Sequence, residues 1–564
     1  MTGAKQSTLA EQTTLARLYH WEATRPDVVH LTQPLGNGKV AEYTWAQSMD
    51  QVRRMAAHLR SLELPPGSNI ALLAKNSAHW MLADWAIWMA GHVTVPLFPT
   101  LNAETVRYVL DHSEARLLFV GKLDDWDMMA PGIPGELPVV TLPLAPAEVE
   151  GRAWDDITAA TEPLTGKPDR QSDELATIVY TSGSTGQPKG VMQSFHSFQV
   201  CGTLLQDLFP VSTEDRMLSY LPLAHVAERM VVENNAVYHG FHVYFAESLD
   251  TFVEDLRRAR PTMFFSVPRL WTKFYLAVCD KLPLKKQRVL FRIPILGKRI
   301  KHKILEQLGL ENVRVAFTGA APLPEKILAW YRGLGLDLLE AYGMSENCAY
   351  SHFTRPGDAK SGYVGPANPG VECRIDPETG EVQVKSPGQM MGYYKEPEKT
   401  AECMTEDGFF KTGDMGEVDD QGRLRITGRV KDLFKTAKGK YVAPVPIENK
   451  LGAHSKVEVA CLCGANQSAT FALILLSEEL RGRAIEATER EEIAAEMVTL
   501  RDEVNATLDP HEHIAFMVLL RSEWNIENGF LTPTMKIRRN VIENHYEPHA
   551  PQWFGMRQSV IWED

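Results

Sequence analysis

Short apolar runs that close in glycine- or hydroxyl-rich turns alternate with stretches of helical period along the first three quarters of the chain. NIALLAKNS from Asn69, ARLLFVG from Ala115, ATIVYTSGS from Ala176 and VRVAFTGAA from Val313 predict buried strands. AEYTWAQSMDQVRRMAAHLRSL and AETVRYVLDHS, lying between them, predict amphipathic helices. That alternation indicates an α/β fold with largely parallel sheets, whose ligands gather at loops beyond the carboxyl ends of the strands. After Gly380 the texture changes to short alternating strands, EVQVKSP, FFKTGDMGEV and GRLRITGRV, with a turn at DDQG. From Lys431 a separate α/β pattern follows, with VEVACLCG and FALILLS as strands and AIEATEREEIAAEMVTLRDEVNATL as a charged helix. The boundary is placed at Arg429 to Lys431, giving an N-terminal domain of residues 1–430 and a smaller C-terminal one of 431–564.

Composition narrows the class. At 564 residues, 44% apolar and 23% charged, the chain is an ordinary globular one, too long for a single core. A net charge of −13 argues against nucleic acid as the main partner, since phosphate backbones demand a basic face. Seven scattered cysteines with no CxxC pair suit a reducing cytosol rather than a disulfide or zinc framework. The polar start MTGAKQSTLAEQTTLARLYHW lacks a signal-like apolar core, and no window reaches the roughly 20 apolar residues of a membrane span. A cytoplasmic protein is expected, with room for peripheral contact at the inner face of a membrane.

Candidate chemistry concentrates first in TIVYTSGSTGQPKGVM, Thr177 to Met192. Its glycines let backbone amides converge on an anion, its hydroxyls add donors, and Lys189 adds charge. It is not a Walker A loop, because Lys189 stands between Pro188 and Gly190 rather than before Ser or Thr. Taken alone, such a loop could also be a flexible turn. Further stretches follow in order: TGAAPL (Thr318 to Leu323), EAYGMSENC (Glu340 to Cys348), KTGD ending at Asp414, TGRVKD containing Arg429, and LTPTMKIRR containing Lys536.

Together these stretches closely resemble the motifs of the adenylate-forming enzymes, which include acyl-CoA synthetases, nonribosomal peptide adenylation domains and beetle luciferases. The resemblance spans more than 350 residues, in the family's order. It implies a large N-terminal domain of parallel-rich sheets flanked by helices plus a distorted β-barrel, with a small mobile α+β C-terminal domain. Thr181, Ser182, Gly183, Ser184, Thr185, Gly186 and Lys189 would grip the pyrophosphate end of ATP. Gly319, Ala320 and Ala321 would flank adenine, as would Glu340, Ala341, Gly343 and Met344 around a stacking Tyr342. Ser345, where the family more often has Thr, would meet the α-phosphate. Thr185 and Glu346 would hold Mg2+, Asp414 would receive the ribose hydroxyls beside Arg429, and Lys431 would be the hinge. Lys536 would be the catalytic lysine.

The chemistry wants these residue types. A carboxylate attacking the α-phosphate brings anion to anion, so fixed positive charge must meet a transition state growing more negative. A hard cation takes carboxylate and phosphate ligands, and a mixed anhydride needs a site closed to water. LPLAHVAER, FFSVPRLW and GKYVAPVPIENKL resemble the long-chain fatty acyl-CoA synthetase branch, in which His225 would line the carboxylate end of the acyl pocket. Without that motif His225 would read as a core histidine satisfied by backbone. NNAVYHGFHVYFAES, Asn234 to Ser248, is aromatic and largely uncharged, which suits an alkyl tail better than an ammonium group. Fatty acid and CoA are therefore the expected partners. The alternatives are a ligase that stops at acyl-AMP or feeds a carrier protein, an oxidative luciferase-like enzyme, and a non-catalytic sensor.

One segment opposes the overall charge. KLPLKKQRVLFRIPILGKRIKHK, Lys281 to Lys303, has nine Lys or Arg and no acid, leaving the other residues at a formal −22. It reads either as a solvated amphipathic loop, as a contact for anionic membrane, or as an attractor for the phosphates of CoA. The aromatic tail EPHAPQWFGMRQSVIWED is expected to pack on the C-terminal domain. Lys536→Ala is expected to lose about a hundred- to a thousandfold in adenylation while still forming thioester from supplied acyl-AMP. Equal loss in both half-reactions, assayed separately, would sink that division of labour.

Overall fold

The computed structural model describes residues 12–181, 187–481, 484–525, 528–532 and 537–563. An eight-stranded sheet forms its centre, with neighbours in the order 392–393, Lys189–Ser194, Leu175–Thr181, Val93–Leu97, Asn69–Leu73, Leu117–Val120, Val139–Thr141 and 152–153. From Leu175–Thr181 outward the pairings are parallel, as the apolar runs predict. Leu175–Thr181 and Lys189–Ser194, however, form an antiparallel hairpin closed by the pair Thr181 and Lys189. The hydroxyl-rich loop therefore joins two strands, and the next helix begins only at Phe195. Among the described residues no helix starts directly from this loop, unlike the loops of mononucleotide-binding βα units.

The predicted helix from Ala41 begins later than its sequence pattern. AEYT lies in the strand Lys39–Thr44, and the helix runs Trp45–Ser61. Thr44 and Gln47 form a capping box that fixes this start: the Thr44 hydroxyl accepts the Gln47 amide, and the Gln47 side chain accepts the Thr44 amide. Helix Ala103–Ser113 falls where its pattern places it.

A four-stranded sheet carries Met263–Ser266, Val315–Thr318 and Leu338–Tyr342 in parallel, with His352–Phe353 antiparallel at its edge. The expected barrel takes the form, among the described residues, of a five-stranded antiparallel sheet containing Glu381–Lys385, Phe410–Val418 and Arg423–Arg429. The C-terminal part folds on a four-stranded sheet of Val457–Cys463, Thr470–Leu476, Ile514–Leu520 and Val560–Trp562. Its last strand belongs to the aromatic tail, whose Trp553 is buried against Phe471, so the tail does pack on this part of the chain.

Helix Ala78–Ala90, AHWMLADWAIWMA, is buried along its whole length, as an all-round apolar helix must be. Ser77 caps it and Gly91, at φ 95°, ends it. Its lone charge, Asp84, meets Arg229 at 2.5 Å, and both side chains are fully enclosed. Arg229 also donates to Thr177 Oγ1 at 2.7 Å, lies 5.2–5.4 Å from the rings of Trp80, Trp88 and Phe198, and approaches Glu233 at 3.5 Å. Burial pushes both Asp84 and Glu233 up from the ordinary carboxylate value, Glu233 well up, while the one guanidinium pulls each back down. Arg229→Ala would strand a buried charge, and urea unfolding is expected to show a loss of about 3–5 kcal/mol. A loss under about 1 kcal/mol, the worth of an exposed pair, would show the network to be dispensable.

Candidate active site

The parallel strands Val315–Thr318 and Leu338–Tyr342 end side by side, with Thr318 opposite Glu340. They deliver TGAAPL and EAYGMSENC to one wall of a cavity of about 2330 Å³. Ala320 turns the chain at φ 68°, a conformation uncommon outside glycine. Gly343 has no room for a side chain, because a Cβ would lie 2.7 Å from the Ala349 backbone. That glycine is required by the turn folding back on itself. Glu340 lines the cavity nearly buried, and burial pushes its carboxyl up to about 8.

Across the strands, Tyr342 donates its hydroxyl to Asp414 Oδ2 at 2.8 Å, while Arg429 Nε donates to Oδ1 at 2.9 Å. Asp414 and Arg429 are direct cross-strand partners. Three residues read from three separate motifs thus form one cluster, in which burial and the neighbouring Asp414 hold the Tyr342 phenol well above its ordinary pKa.

Ser345 and Glu346 follow on a short 3₁₀ turn, and Gln193 of the hairpin donates to the Ser345 carbonyl at 2.6 Å. Tyr393 donates to Glu346 Oε1 at 2.9 Å, and Lys189 Nζ lies 4.8 Å over the Tyr393 ring. Tyr393 and Gln193 escaped the sequence reading. Tyr393 sits on the two-residue strand Gly392–Tyr393, and only the pairing of that strand with Lys189–Ser194 brings it to Glu346.

His225 lines the same cavity and caps the turn Val226–Glu228, its Nδ1 accepting the Ala227 amide at 3.1 Å. In the neutral ring this leaves the hydrogen on Nε2. The residue is both things its sequence suggested, a backbone-satisfied histidine and a cavity wall. Its loop is pinned by Glu228, which takes Ser219 at 2.9 Å and the Tyr220 amide at 3.0 Å, and by Asn76, which donates to Leu221 and accepts from Leu223. Burial pushes the Glu228 carboxyl up to about 8. The cavity also has an apolar lining, with Met230 and Val231 from a π-helical segment and Phe265 and Phe317 from the strands. Of the stretch Asn234 to Ser248, only Asn235 reaches this wall, so the apolar lining comes mainly from residues outside the segment that suggested it.

Ser182, Gly183, Ser184, Thr185, Gly186 and Lys536 lie outside the described residues. Their flanks do not: Thr181 and Lys189 on one side, Leu531, Thr532, Ile537 and Arg538 on the other, line the one cavity. Arg539 holds the second flank through a two-pronged contact with Glu448 at 2.6 and 2.8 Å and a bond to the Leu462 carbonyl. The sequence reading passed over this anchor, although it adjoins Lys536. Lys431 is exposed in the turn Val430–Asp432 and also lines the cavity. Glu458, which lines the cavity as Arg269 does, receives Arg269 at 2.5 Å and Arg481 at 2.8 Å.

A family model described as AMP-binding enzyme matches residues 18–394, and its companion, AMP-binding enzyme C-terminal domain, matches 431–553. The chain belongs to the AMP-binding enzyme family. The family resemblance read from the motifs therefore holds. Among curated members, a long-chain-fatty-acid–CoA ligase of Mycobacterium bovis is 31% identical over 94% of this chain and 95% of its own. Human long-chain-fatty-acid–CoA ligase 1 is 30% identical over 86% of this chain and 78% of its own. An anthranilate CoA ligase bound to anthranoyl-AMP shares the fold at TM-score 0.80 and 19% identity, covering 97% of this chain and all of that one. For this AMP-binding enzyme, Asp414→Ala is expected to weaken ATP about ten- to a hundredfold in calorimetric titration, the worth of a charged hydrogen bond. Unchanged affinity would reduce the Tyr342–Asp414–Arg429 cluster to packing.

Proposed function

We propose that the chain activates a medium- or long-chain fatty acid with ATP, giving acyl-AMP and pyrophosphate, and then transfers the acyl group to CoA with release of AMP. The relatives named long-chain-fatty-acid–CoA ligases support this reading over most of the chain. The observation that carries it is a shared cavity, lined by the Tyr342–Asp414–Arg429 cluster, by Glu346 and His225, and by the apolar Met230, Val231, Phe265 and Phe317.

In this reading Asp414 accepts the ribose hydroxyls, Tyr342 stacks on adenine between Gly319–Ala321 and its own turn, and Ser345 meets the α-phosphate. Thr181, Lys189 and the loop between them take the β- and γ-phosphates. A lone carboxylate, Glu346, steadied by Tyr393 on one oxygen, fits Mg2+, which keeps most of its coordination for phosphate and water; Thr185 completes the protein's share. When bound, the ion supplies charge that offsets the phosphates. The fatty carboxylate oxygen attacks the α-phosphorus and the bond to the pyrophosphate oxygen breaks, with Lys536 donating to the oxygens that gain charge. His225, with its hydrogen on Nε2, orients the carboxylate. A thiolate of CoA then attacks the acyl carbon and AMP leaves.

We infer a division at residues 1–430 and 431–564, with Lys431 as the pivot that exchanges the Lys536 flank for a thiol-delivering face. Each methylene buried against the apolar lining contributes about 0.8 kcal/mol, roughly fourfold in affinity, so the extent of that lining sets chain preference steeply. The basic stretch Lys281–Lys303 supports peripheral contact with anionic membrane. Mass spectrometry of products from ATP, Mg2+ and fatty acids of graded length, with and without CoA, tests the reading. The expected result is acyl-CoA formed only with CoA and peaking at one chain length. Acyl-AMP accumulating regardless of CoA would overturn the acceptor and point to a carrier protein.

A further inference from the structure

The basic segment is an ordered face rather than a loose loop. It folds into helices Leu284–Leu290 and Leu296–Leu308, which lay Leu284, Phe291, Ile300 and Ile304 against the core around Trp271 and Tyr331. Gln287, buried, receives the Trp330 indole at 2.7 Å and donates to the Leu282 carbonyl at 2.6 Å, fixing the first helix to the body. Among the described residues, none of the nine cations between Lys281 and Lys303 makes an ion pair, and all but Lys301 are exposed.

Between the helices the chain makes a γ-turn at Ile295, with φ 65° and ψ −55° and the Leu296 amide bonded to the Pro294 carbonyl at 2.7 Å. A β-branched residue at positive φ is strained, and the turn holds its side chain outward at 70% exposure. Val289 is 65% exposed, and Ile293 and Leu296 stand beside the turn, also exposed. Apolar tips ringed by unpaired cations, on a chain otherwise strongly negative, match one surface: an anionic bilayer, whose headgroups take the cations and whose acyl boundary takes the tips. The preceding helix, Pro268–Lys281, lines the cavity through Thr272, Leu276 and Cys279 and ends where this face begins.

We propose that helices Leu284–Leu290 and Leu296–Leu308, with the Ile295 turn between them, seat the enzyme on anionic membrane and place the Pro268–Lys281 wall of the cavity over membrane-dissolved fatty acid. This rests on the fatty-acid reading above for the substrate, but not for the docking. Sedimentation of the full chain, without ATP or CoA, with vesicles of phosphatidylcholine alone or with about one-third phosphatidylglycerol tests the docking. Binding is expected only to the anionic vesicles. Replacing Lys285, Lys286 and Arg288 with Gln is expected to weaken it about a hundredfold, and V289D/I295D about tenfold or more. With a water-soluble acid, V289D/I295D should keep the parent kcat and KM; with a long acid supplied in anionic vesicles it should lose rate.

Equal binding to neutral vesicles, or binding indifferent to both variants, would overturn the proposal. So would a lipid-free rise in KM for CoA in the Gln variant without vesicle binding by the parent, which would assign the cations to CoA phosphates. Vesicle binding without ATP consumption would remove the ligase reading and leave the docking face standing; an active ligase that ignores vesicles would remove the face alone.

Discussion

The buried guanidinium of Arg229 ties separate walls of the cavity together. It reaches Asp84 on the fully buried helix and Thr177 on the strand that ends at the cavity-lining Thr181. Its own backbone opens the π-helical segment whose Met230 and Val231 line the same cavity. A charge enclosed by three aromatic rings tolerates little displacement, because any lost partner leaves an unsatisfied ion in a medium of low polarity. The strand Leu175–Thr181 and the segment Arg229–Asn234 are therefore held in one geometry.

Around that anchor the cavity has two kinds of lining. One is polar and cross-linked, with Asp414 held from both sides and Glu346 steadied by a phenol. The other is apolar, with Met230, Val231, Phe265 and Phe317, and His225 lines the same cavity. The loop carrying His225 is held by a carboxyl that burial keeps largely protonated near neutrality. Such a group steadies a loop without adding negative charge where a fatty carboxylate must approach another anion.

Much of this was legible in the chain. The apolar runs at Asn69, Ala115, Ala176 and Val313 became strands because a two-sided buried sheet leaves no other use for them. Alternating strands with a DDQG turn implied the hairpin, while the placing of Arg429 beside Asp414 came from the family resemblance; the strand register bears it out. The antiparallel return after Thr181 was not legible, since glycine and hydroxyl residues suit a strand–turn–helix equally well. Tyr393 was invisible because its role depends on sheet order, not on local pattern. Arg539 and Glu448 lie 91 positions apart, and no periodicity links them. Of the uncharged stretch Asn234 to Ser248 only Asn235 lines the cavity, because aromatic content marks burial without saying which cavity the residues face.

Glu458 pairs with Arg269, half exposed on the arginine side, so the contact contributes at most about 1 kcal/mol, a population ratio of roughly five. A half-exposed ion pair of this kind is a weak tie: it opens at thermal cost and weakens further as salt rises.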